Sequence, residues 1–340
     1  MRRVLSLFEP FVLVLLGTLA LASLLPVSGR AAEIFGVLTD VGIMLLFFLH
    51  GAKLPREAIM DGAKNWRLHL AVLSVTFFVF PLFGFGIAQM PGLTPQIAAG
   101  ILFLTLLPST VQSSIAFTAI ARGNVAAAVC SASFSNLIGV VLTPLLVSLL
   151  MGNIGSAAAP QFSGAAVQTI AFQLLLPFVV GHLLRPVIGG FVTRHKQAVT
   201  LVDRGSILLV VYTAFSAAVV DGLWTRISPH TLVILLLVCC GLLAAVIGVT
   251  IALGRLLGFA RRDAIVLLFC GSKKSLASGV PIAGVLFPVA QVGAIILPLM
   301  VFHQIQLIAC AFVARRFSLA AEREAGAHGP VFEKVVTNPR

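Results

Sequence analysis

The sequence predicts an all-α integral membrane protein with ten transmembrane helices, arranged as two inverted five-helix repeats with discontinuous, crossing helices 4 and 9. Three observations lead to this fold class. The composition is 59% hydrophobic and only 10% charged, whereas about a quarter of the residues in a soluble domain are charged. Ten apolar segments are long enough to cross a bilayer. Polar residues interrupt the fourth segment in each group of five.

The ten candidate spans divide the chain into two units. A span needs about 20 apolar residues, and the segments that meet this requirement define a first repeat over 1–151 and a second repeat over 166–314. Residues 152–165 are expected to form a periplasmic linker, and residues 315–340 a cytoplasmic tail without order beyond Leu319. The spans cover residues 9–28, 34–53, 67–90, 95–121, 124–151, 166–185, 203–224, 230–257, 264–287 and 290–314.

The basic residues are concentrated on one side of this arrangement. With a cytoplasmic N-terminus, most of the 23 Lys and Arg residues fall in inner segments, and only Arg30 and Arg226 fall in outer ones. Because cytoplasmic loops carry an excess of Lys and Arg, both termini are predicted to be cytoplasmic. The N-terminal segment also resembles a cleavable signal peptide, but its removal would disturb this asymmetry. A retained first helix is therefore favoured, and the net charge of +12 is assigned to orientation rather than to nucleic-acid binding.

Spans 4 and 9 share an unusual construction. Span 4 reads IAAGILFLTLLP, STVQSS and IAFTAIARG, and span 9 reads AIVLLFCG, SKKS and LASGVPIAGVLF. Since five is an odd number, two successive five-span units insert in opposite orientations, so spans 4 and 9 run antiparallel. Discontinuous helices that meet near the bilayer midplane are typical of inverted-repeat transporters. A proline or glycine kink with hydroxyls bonded back to the helix is the alternative for each interruption.

Two adjacent lysines, Lys273 and Lys274, lie within the interruption of span 9. A lysine at the centre of a membrane helix costs about 2.5–3.5 kcal/mol on insertion scales, so a pair requires an explanation. One ammonium could take the place of a metal cation, hold the free carbonyls together and exchange protons. The lysines could instead face a cavity and neutralise an anionic substrate, or tether the crossing structurally. Neighbouring side chains point in different directions, so the two lysines are expected to have different roles.

Other polar residues are expected to group with the lysines as the substrate and ion site. His303 is a candidate proton carrier, although an intramembrane histidine also commonly forms a hydrogen bond between helices. The candidates are Ser109, Thr110, Gln112, Ser113 and Ser114 in span 4; Ser131, Ser135 and Asn136 in span 5; Ser272, Ser275 and Ser278 in span 9; and His303 and Gln304 in span 10, which Gln306 also interrupts.

Several stretches resemble the bile acid:sodium symporter family. PSTVQSSIAFTAIARGNVA over 108–126 is similar to the fourth-span signature of that family, and LLFFLHGAKL and QLLLPFVVGHLLRP resemble the end of its second span and its sixth span. GSKKSLASGVPIA and PLMVFHQIQLIACAFVARR are similar to a prokaryotic branch described as sodium-dependent transporters. The resemblance implies a panel domain of helices 1, 2, 6 and 7, a core domain of helices 3–5 and 8–10, and alternating access.

The resemblance carries over the sodium ligands of the family only in part. In the first site Ser114 matches a ligand, whereas Ile115 stands at an Asn position, and the hydroxyl positions of span 5 hold Ala128 and Ala132. In the second site, Thr76 stands at a Gln position and becomes a further candidate. The family's acidic ligand corresponds to Phe269, and a Gln ligand corresponds to Lys273. A sodium ion held by Ser114 and Thr76 is thus the one cofactor that the resemblance leaves open.

These observations lead to an expected function. The chain is expected to be a secondary transporter of a small organic anion in a bacterial inner membrane, coupled to sodium or to protons through Lys273. A cation/proton exchanger, and a non-transporting membrane regulator that keeps the fold, are the alternatives. No enzyme is expected, because the sequence contains no HExxH motif, nucleophile elbow, phosphate loop or paired intramembrane carboxylates.

Overall fold

The computed structural model of the chain describes residues 10–53, 65–90, 92–151, 168–226 and 228–327. These residues form helices and connecting turns, and no strand occurs among them. Eight segments of the described chain are long and apolar enough to cross a membrane. The two other predicted spans correspond to shorter apolar helices, one near the N-terminus and one before the first break. The chain is therefore a multi-pass, all-helical membrane protein.

The helices follow the order of the predicted spans. The bounds are α1 (Pro10–Leu24), α2 (Arg30–Lys53), α3 (Trp66–Ala88), α4a (Pro95–Thr105), α4b (Gln112–Ile120), α5 (Val125–Met151), α6 (Gln168–Arg194), α7 (Lys196–Val220), α8 (Pro229–Leu256), α9a (Arg261–Gly271), α9b (Leu276–Leu286) and α10 (Val289–Ala327). A one-turn helix, Leu223–Arg226, lies between α7 and α8. The proposed periplasmic linker at 152–165 lies outside the described residues.

Both predicted interruptions are present as breaks in the helices. Six residues separate α4a from α4b, and four residues separate α9a from α9b. Pro108 accounts for the first break, because its ring removes a backbone N–H that a continuous helix would need. At the second break, Ser275 caps α9b by accepting a hydrogen bond from the backbone N–H of Ser278, as serine commonly does at a helix start.

Helix α9 is the innermost of the spans. Of the residues in its apolar window, 94% are buried, a larger share than in any other candidate span. The lipid-facing helices are far more exposed, with 17% of the α6 window buried. The second break is therefore surrounded by protein, which is the setting in which non-helical backbone is tolerated at membrane depth.

Helices α2 and α6 approach each other through two glycines. A Cβ atom added at Gly51 would meet the backbone oxygen of Phe178, and one added at Gly181 would meet the backbone oxygen of Phe48. Small residues allow such close approach between membrane helices. This crossing fixes α2 against α6, and α7 packs against both α1 and α2.

The polar C-terminal segment is helical over more residues than the sequence predicts. Order was expected to end at Leu319, whereas α10 continues to Ala327. The extension is anchored, because Arg261 donates a hydrogen bond to the carbonyl oxygen of Phe317, and Arg122 forms an exposed ion pair with Glu322. At 1.5 Å per residue α10 is about 58 Å long, nearly twice the hydrocarbon thickness of a bilayer.

Candidate functional site

The two helix breaks contact each other directly. The hydroxyl of Ser109 donates to the carbonyl oxygen of Cys270 at 2.5 Å, and the backbone N–H of Ser275 donates to the carbonyl oxygen of Pro108 at 2.9 Å. The hydroxyl of Ser114 donates to the carbonyl oxygen of Phe269 at 3.0 Å. Backbone groups left free where one helix stops are thus bonded by the other broken helix.

The ammonium of Lys274 binds three backbone carbonyl oxygens. Its Nζ atom lies 2.7 Å from the oxygens of Thr76, Thr105 and Leu107. All three donors of the ammonium are used, and the side chain is 0% exposed. The ring of Phe80 adds a cation–π contact, with its centroid 4.2 Å from Nζ. Lys274 is therefore a fully coordinated cation that joins α3, the end of α4a and the second break.

One proline and one helix end explain why these carbonyls are free. Residues Val75–Val79 form a π-helical turn, and the N–H of Phe80 bonds to the oxygen of Val75. The same bond, shifted by one residue, would join the carbonyl oxygen of Thr76 to the N–H of residue 81, but Pro81 has no N–H. Thr105 and Leu107 lie at the end of α4a, where helices leave their last carbonyls unpaired. Lys274 supplies the missing donors.

Gln306 holds the backbone of Lys274. Its Oε1 accepts from the Lys274 N–H at 2.8 Å, and its Nε2 donates to the Lys274 carbonyl oxygen at 2.9 Å. Nε2 also lies 2.8 Å from Nδ1 of His303. The sequence shows Gln306 as a polar interruption of span 10, but only His303 and Gln304 of that span were selected as site residues. This His303 contact lies within α10, whereas the alternative to a proton carrier was a hydrogen bond between helices.

Lys273 has a different environment from Lys274. It is also 0% exposed, but among the described residues its Nζ makes one long hydrogen bond, 3.4 Å, to the hydroxyl of Ser113. The rings of Phe117 and Phe269 lie 4.5 and 5.6 Å from Nζ. Two donors of a protonated Lys273 thus face aromatic and apolar surroundings rather than oxygen acceptors.

Asn136 connects α5 with both breaks. Its Nδ2 donates to the carbonyl oxygen of Ser109 at 2.8 Å, and its Oδ1 accepts from the hydroxyl of Ser278 at 2.8 Å. Beside it, the hydroxyl of Ser135 accepts from the backbone N–H of Ser109 at 2.9 Å. Two of the three predicted residues of span 5, Ser135 and Asn136, therefore contact the crossing.

The side chains of four predicted residues either form hydrogen bonds away from the crossing or form none to the other candidates. The Thr76 hydroxyl donates to its own helix at Val72, and the Ser272 hydroxyl donates to Leu268. Ser131 lies 2.7 Å from Nδ1 of His69, a buried histidine that the sequence interpretation did not select. Gln304 is half-buried and forms no hydrogen bond to the other candidates within the described ranges.

A cavity of about 420 Å³ lies beside the breaks. One wall comes from α1, α2, α6 and α7, and the opposite wall from both breaks, α4b, α5, α9b and α10. Neither Lys273 nor Lys274 is among the described residues that line it. The predicted residues in the lining are Thr110, Gln112, Ser113, Asn136, Ser275, Ser278 and His303.

The cavity has a positive electrostatic character. Helices α4b and α9b both begin at its wall, and a helix start carries roughly half a positive charge. Arg204 lines the opposite wall, with its guanidinium 5.1 Å from the ring centroid of Phe11. Lys53 also lines this wall and forms an ion pair with Asp203, the one acidic residue of the lining. This arrangement can hold an anion.

The part of the chain that the structure describes contains no group of three or more His, Cys, Asp or Glu side chains that could hold a metal ion. Oxygen ligands of the hydroxyl and carbonyl type remain at the breaks, but the backbone oxygens of Thr76, Thr105 and Leu107 are bound by Lys274.

Comparison with known proteins gives the chain a family. The model of the SBF-like CPA transporter family matches residues 9–319. The chain belongs to this transporter family. The bile acid:sodium symporter resemblance is thereby confirmed, and a transporter rather than an enzyme is identified.

Relatives in bacteria and vertebrates support this family assignment. Protein PA2026 of Pseudomonas aeruginosa is 53% identical over 321 residues, covering 94% of this chain and 96% of that protein. The Escherichia coli K12 protein named "Putative symporter YfeH" is 50% identical over 319 residues, covering 93% of this chain and 95% of that protein. Sodium/bile acid cotransporter 7 of Xenopus tropicalis is 25% identical over 281 residues, covering 80% and 79% of the two chains.

Proposed function

We propose that this SBF-like transporter is a secondary active transporter of a small organic anion in the bacterial inner membrane, driven by protons that Lys273 carries. The observation that carries the proposal is the cavity between two helix sets, with two helix N-termini on one wall and Arg204 on the other. The family assignment and the symporter name of the Escherichia coli relative support transport together with a coupling ion.

The proposed architecture is ten spans in two inverted five-helix repeats, over 1–151 and 166–314. Two breaks, each in the fourth span of its half, bond to each other. The cavity separates helices 1, 2, 6 and 7 from residues of helices 4, 5, 9 and 10, which supports a panel domain moving against a core domain. Lys53, Arg194 and Lys196 mark one end of α2, α6 and α7, and we assign that end, with both termini, to the cytoplasm.

The cavity is suited to an amphipathic anion. The starts of α4b and α9b would bind its charged group, because unpaired backbone N–H groups at helix starts attract anions. Phe47, Leu137 and Phe178 line the same space and would contact its apolar part. Movement of the core domain would then carry the anion together with the two helix starts across the membrane.

Lys274 is proposed to be a built-in replacement for a bound cation. Its three carbonyl contacts of 2.7 Å give it the role that a sodium ion at Thr76 would have. Ser114, the other candidate sodium ligand, donates a hydrogen bond from its hydroxyl to the carbonyl oxygen of Phe269. Transport is therefore proposed to require no sodium ion at Thr76 or Ser114.

Lys273 is proposed to couple transport to protons. A protonated Lys273 has one hydrogen bond of 3.4 Å for three donors, whereas Lys274 has all three donors bonded. Burying an ammonium without partners is costly, and for this reason Lys273 is proposed as the lysine that releases and takes up a proton. Its partner Ser113 also lines the cavity, so this hydroxyl would pass the proton between Lys273 and the substrate space.

Uptake into proteoliposomes tests the proposal. Anions that raise the thermal unfolding midpoint of the purified protein would be selected and labelled. Accumulation under an imposed pH gradient without sodium would support proton-coupled transport, whereas accumulation that requires a sodium gradient would contradict the coupling. Sodium-driven proton movement without any anion would identify a cation/proton exchanger. Absence of all flux with every stabilising anion would favour a regulator.

A further inference from the structure

A second cavity, of about 670 Å³, adjoins the first at the ends of α2 and α6 and the beginning of α7. The two share Lys53, Gln112 and Thr200 in their linings. We call the second cavity the vestibule; it is lined by Ala52, Lys53, Gln112, Arg185, Pro186, Gly189, Gly190, Val192, Thr193, Lys196, Val199 and Thr200. Apart from Gln112 of α4b, its lining comes from the ends of three helices, so it lies close to one membrane surface.

Among the described residues, the lining of the vestibule carries positive charge. It contains Lys53, Arg185 and Lys196, and no described Asp or Glu. Lys53 is paired with Asp203, which lies in the wall of the first cavity. In the described part of the chain, neither Arg185 nor Lys196 forms an ion pair. Two cationic side chains therefore face the vestibule with their donors available.

Arg185 is the more informative of the two cations. It is half-buried and lies nine residues before Arg194, about 13 Å from the end of α6 at 1.5 Å per residue. A guanidinium at this depth needs an anionic partner, and its planar fork matches two oxygens of a phosphate or carboxylate. Lys196, exposed at the first position of α7, supplies a second charge nearer to the surface.

The remaining wall is apolar. Pro186, Val192, Val199 and Ala52 line the vestibule beside the two cations. A phosphate group attached to a glycerol and acyl chains would place its charge between Arg185 and Lys196 and its hydrocarbon against these side chains. Basic pockets between membrane helices near the surface are known to hold acidic lipid headgroups.

We propose that the vestibule is a binding site for the phosphodiester headgroup of an acidic phospholipid, held by Arg185 and Lys196. The bound lipid would lie next to Lys53, at the passage between the vestibule and the first cavity. This site is separate from the proposed anion site at the helix starts and does not depend on whether the protein transports.

Lipid retention measures this site directly. The protein would be purified in a non-ionic detergent, incubated with phosphatidylglycerol in an excess of phosphatidylcholine, and examined by native mass spectrometry. We expect one retained phosphatidylglycerol, bound about thirtyfold more weakly by the Arg185→Gln/Lys196→Gln variant, which corresponds to roughly 1 kcal/mol for each basic residue. Arg255→Gln/Arg316→Gln removes the same charge from exposed positions outside the vestibule and should retain the lipid.

Three results would overturn the proposal. The first is equal lipid retention by the vestibule variant and the wild-type protein, and the second is an equal loss in the control variant. The third comes from titration with inorganic phosphate and glycerol 3-phosphate: binding of these at the vestibule without retention of phosphatidylglycerol would assign the site to a free phosphate compound. Thermal unfolding of both variants checks that they are folded. Because no step measures transport, failure here is distinguishable from failure of the proposed function.

Discussion

The side-chain amide of Gln306 binds both backbone polar groups of Lys274, with its Oε1 2.8 Å from the Lys274 nitrogen and its Nε2 2.9 Å from the Lys274 oxygen. The ammonium of the same lysine is held by three carbonyl oxygens on the opposite side of the break. Lys274 is thus fixed at its backbone by α10 and at its side-chain end by α3 and the first break. A lysine in an apolar span is accommodated because every polar group it brings is bonded.

Replacement of Gln306 by Leu is expected to destabilise the protein. The substitution leaves the Lys274 N–H and carbonyl oxygen unpaired, and each buried group without a partner costs about 1–3 kcal/mol. Gln304→Leu, two residues away on α10, is the matched control and should change stability by about 0.5 kcal/mol or less. Thermal unfolding in detergent compares the two variants, and equal midpoints would refute the role given to Gln306.

Replacement of Lys274 by Met tests the three carbonyl contacts. Methionine fills a similar volume but has no donor, so three buried oxygens lose their partner, at a net cost of about 3 kcal/mol or more. Lys273→Met removes one long contact and the cost of burying an ammonium, so it should be neutral or stabilising. The thermal unfolding midpoint of Lys274→Met should be lower than that of Lys273→Met. The reverse order would show that Lys273, not Lys274, is the tether.

Replacement of Lys273 by Gln is expected to abolish proton coupling. Wild-type uptake should rise as the pH on the loading side falls, because Lys273 must gain a proton there. The variant has no group to protonate at this position, and its pH-driven uptake should fall by about tenfold or more. Initial rates in proteoliposomes between pH 5.5 and 8.5 give the comparison. Unchanged uptake with an unchanged pH profile would show that Lys273 carries no proton.

The hydroxyl of Ser113 is expected to be needed for proton transfer. Ser113→Ala removes the group that links Lys273 to the cavity, so pH-driven uptake should slow by about tenfold, while Ser113→Thr keeps a hydroxyl and should retain most of it. Ser133→Ala removes a hydroxyl from the same cavity and serves as control. Loss of uptake in all three variants would point to a general effect on the cavity rather than to a relay.

Close packing of α2 against α6 gives a prediction about the panel helices. Gly51→Ala and Gly181→Ala place a methyl group against the backbone oxygens of Phe178 and Phe48, and overpacking of this kind costs about 1–3 kcal/mol. Gly36→Ala and Gly190→Ala lie on the same two helices and meet no atom within 4 Å. A lowered unfolding midpoint in the first pair alone is expected, and an equal effect in both pairs would contradict the close crossing.

Local features allowed the interruptions and most of the residues near them to be predicted. Pro108 and the Ser-Lys-Lys-Ser stretch act within a few residues of their own position, so the breaks could be located without tertiary information. Gln306 was missed as a partner because its contacts reach Lys274, 32 residues earlier. Gln304 was selected instead, since two amides on one helix cannot be distinguished until the neighbours of each face are known.

Sequence alone determined that this chain is a membrane protein, where its apolar segments lie, and where two of them are interrupted. These are properties of composition and of short-range backbone chemistry, which follow from hydrophobicity and from proline. Only the tertiary structure decided which of two adjacent lysines is fully coordinated, and that neither lines the cavity. The physical reason is that the carbonyl partners of the Lys274 ammonium lie 167 to 198 residues away in sequence, so the direction of this side chain depends on how distant helices pack.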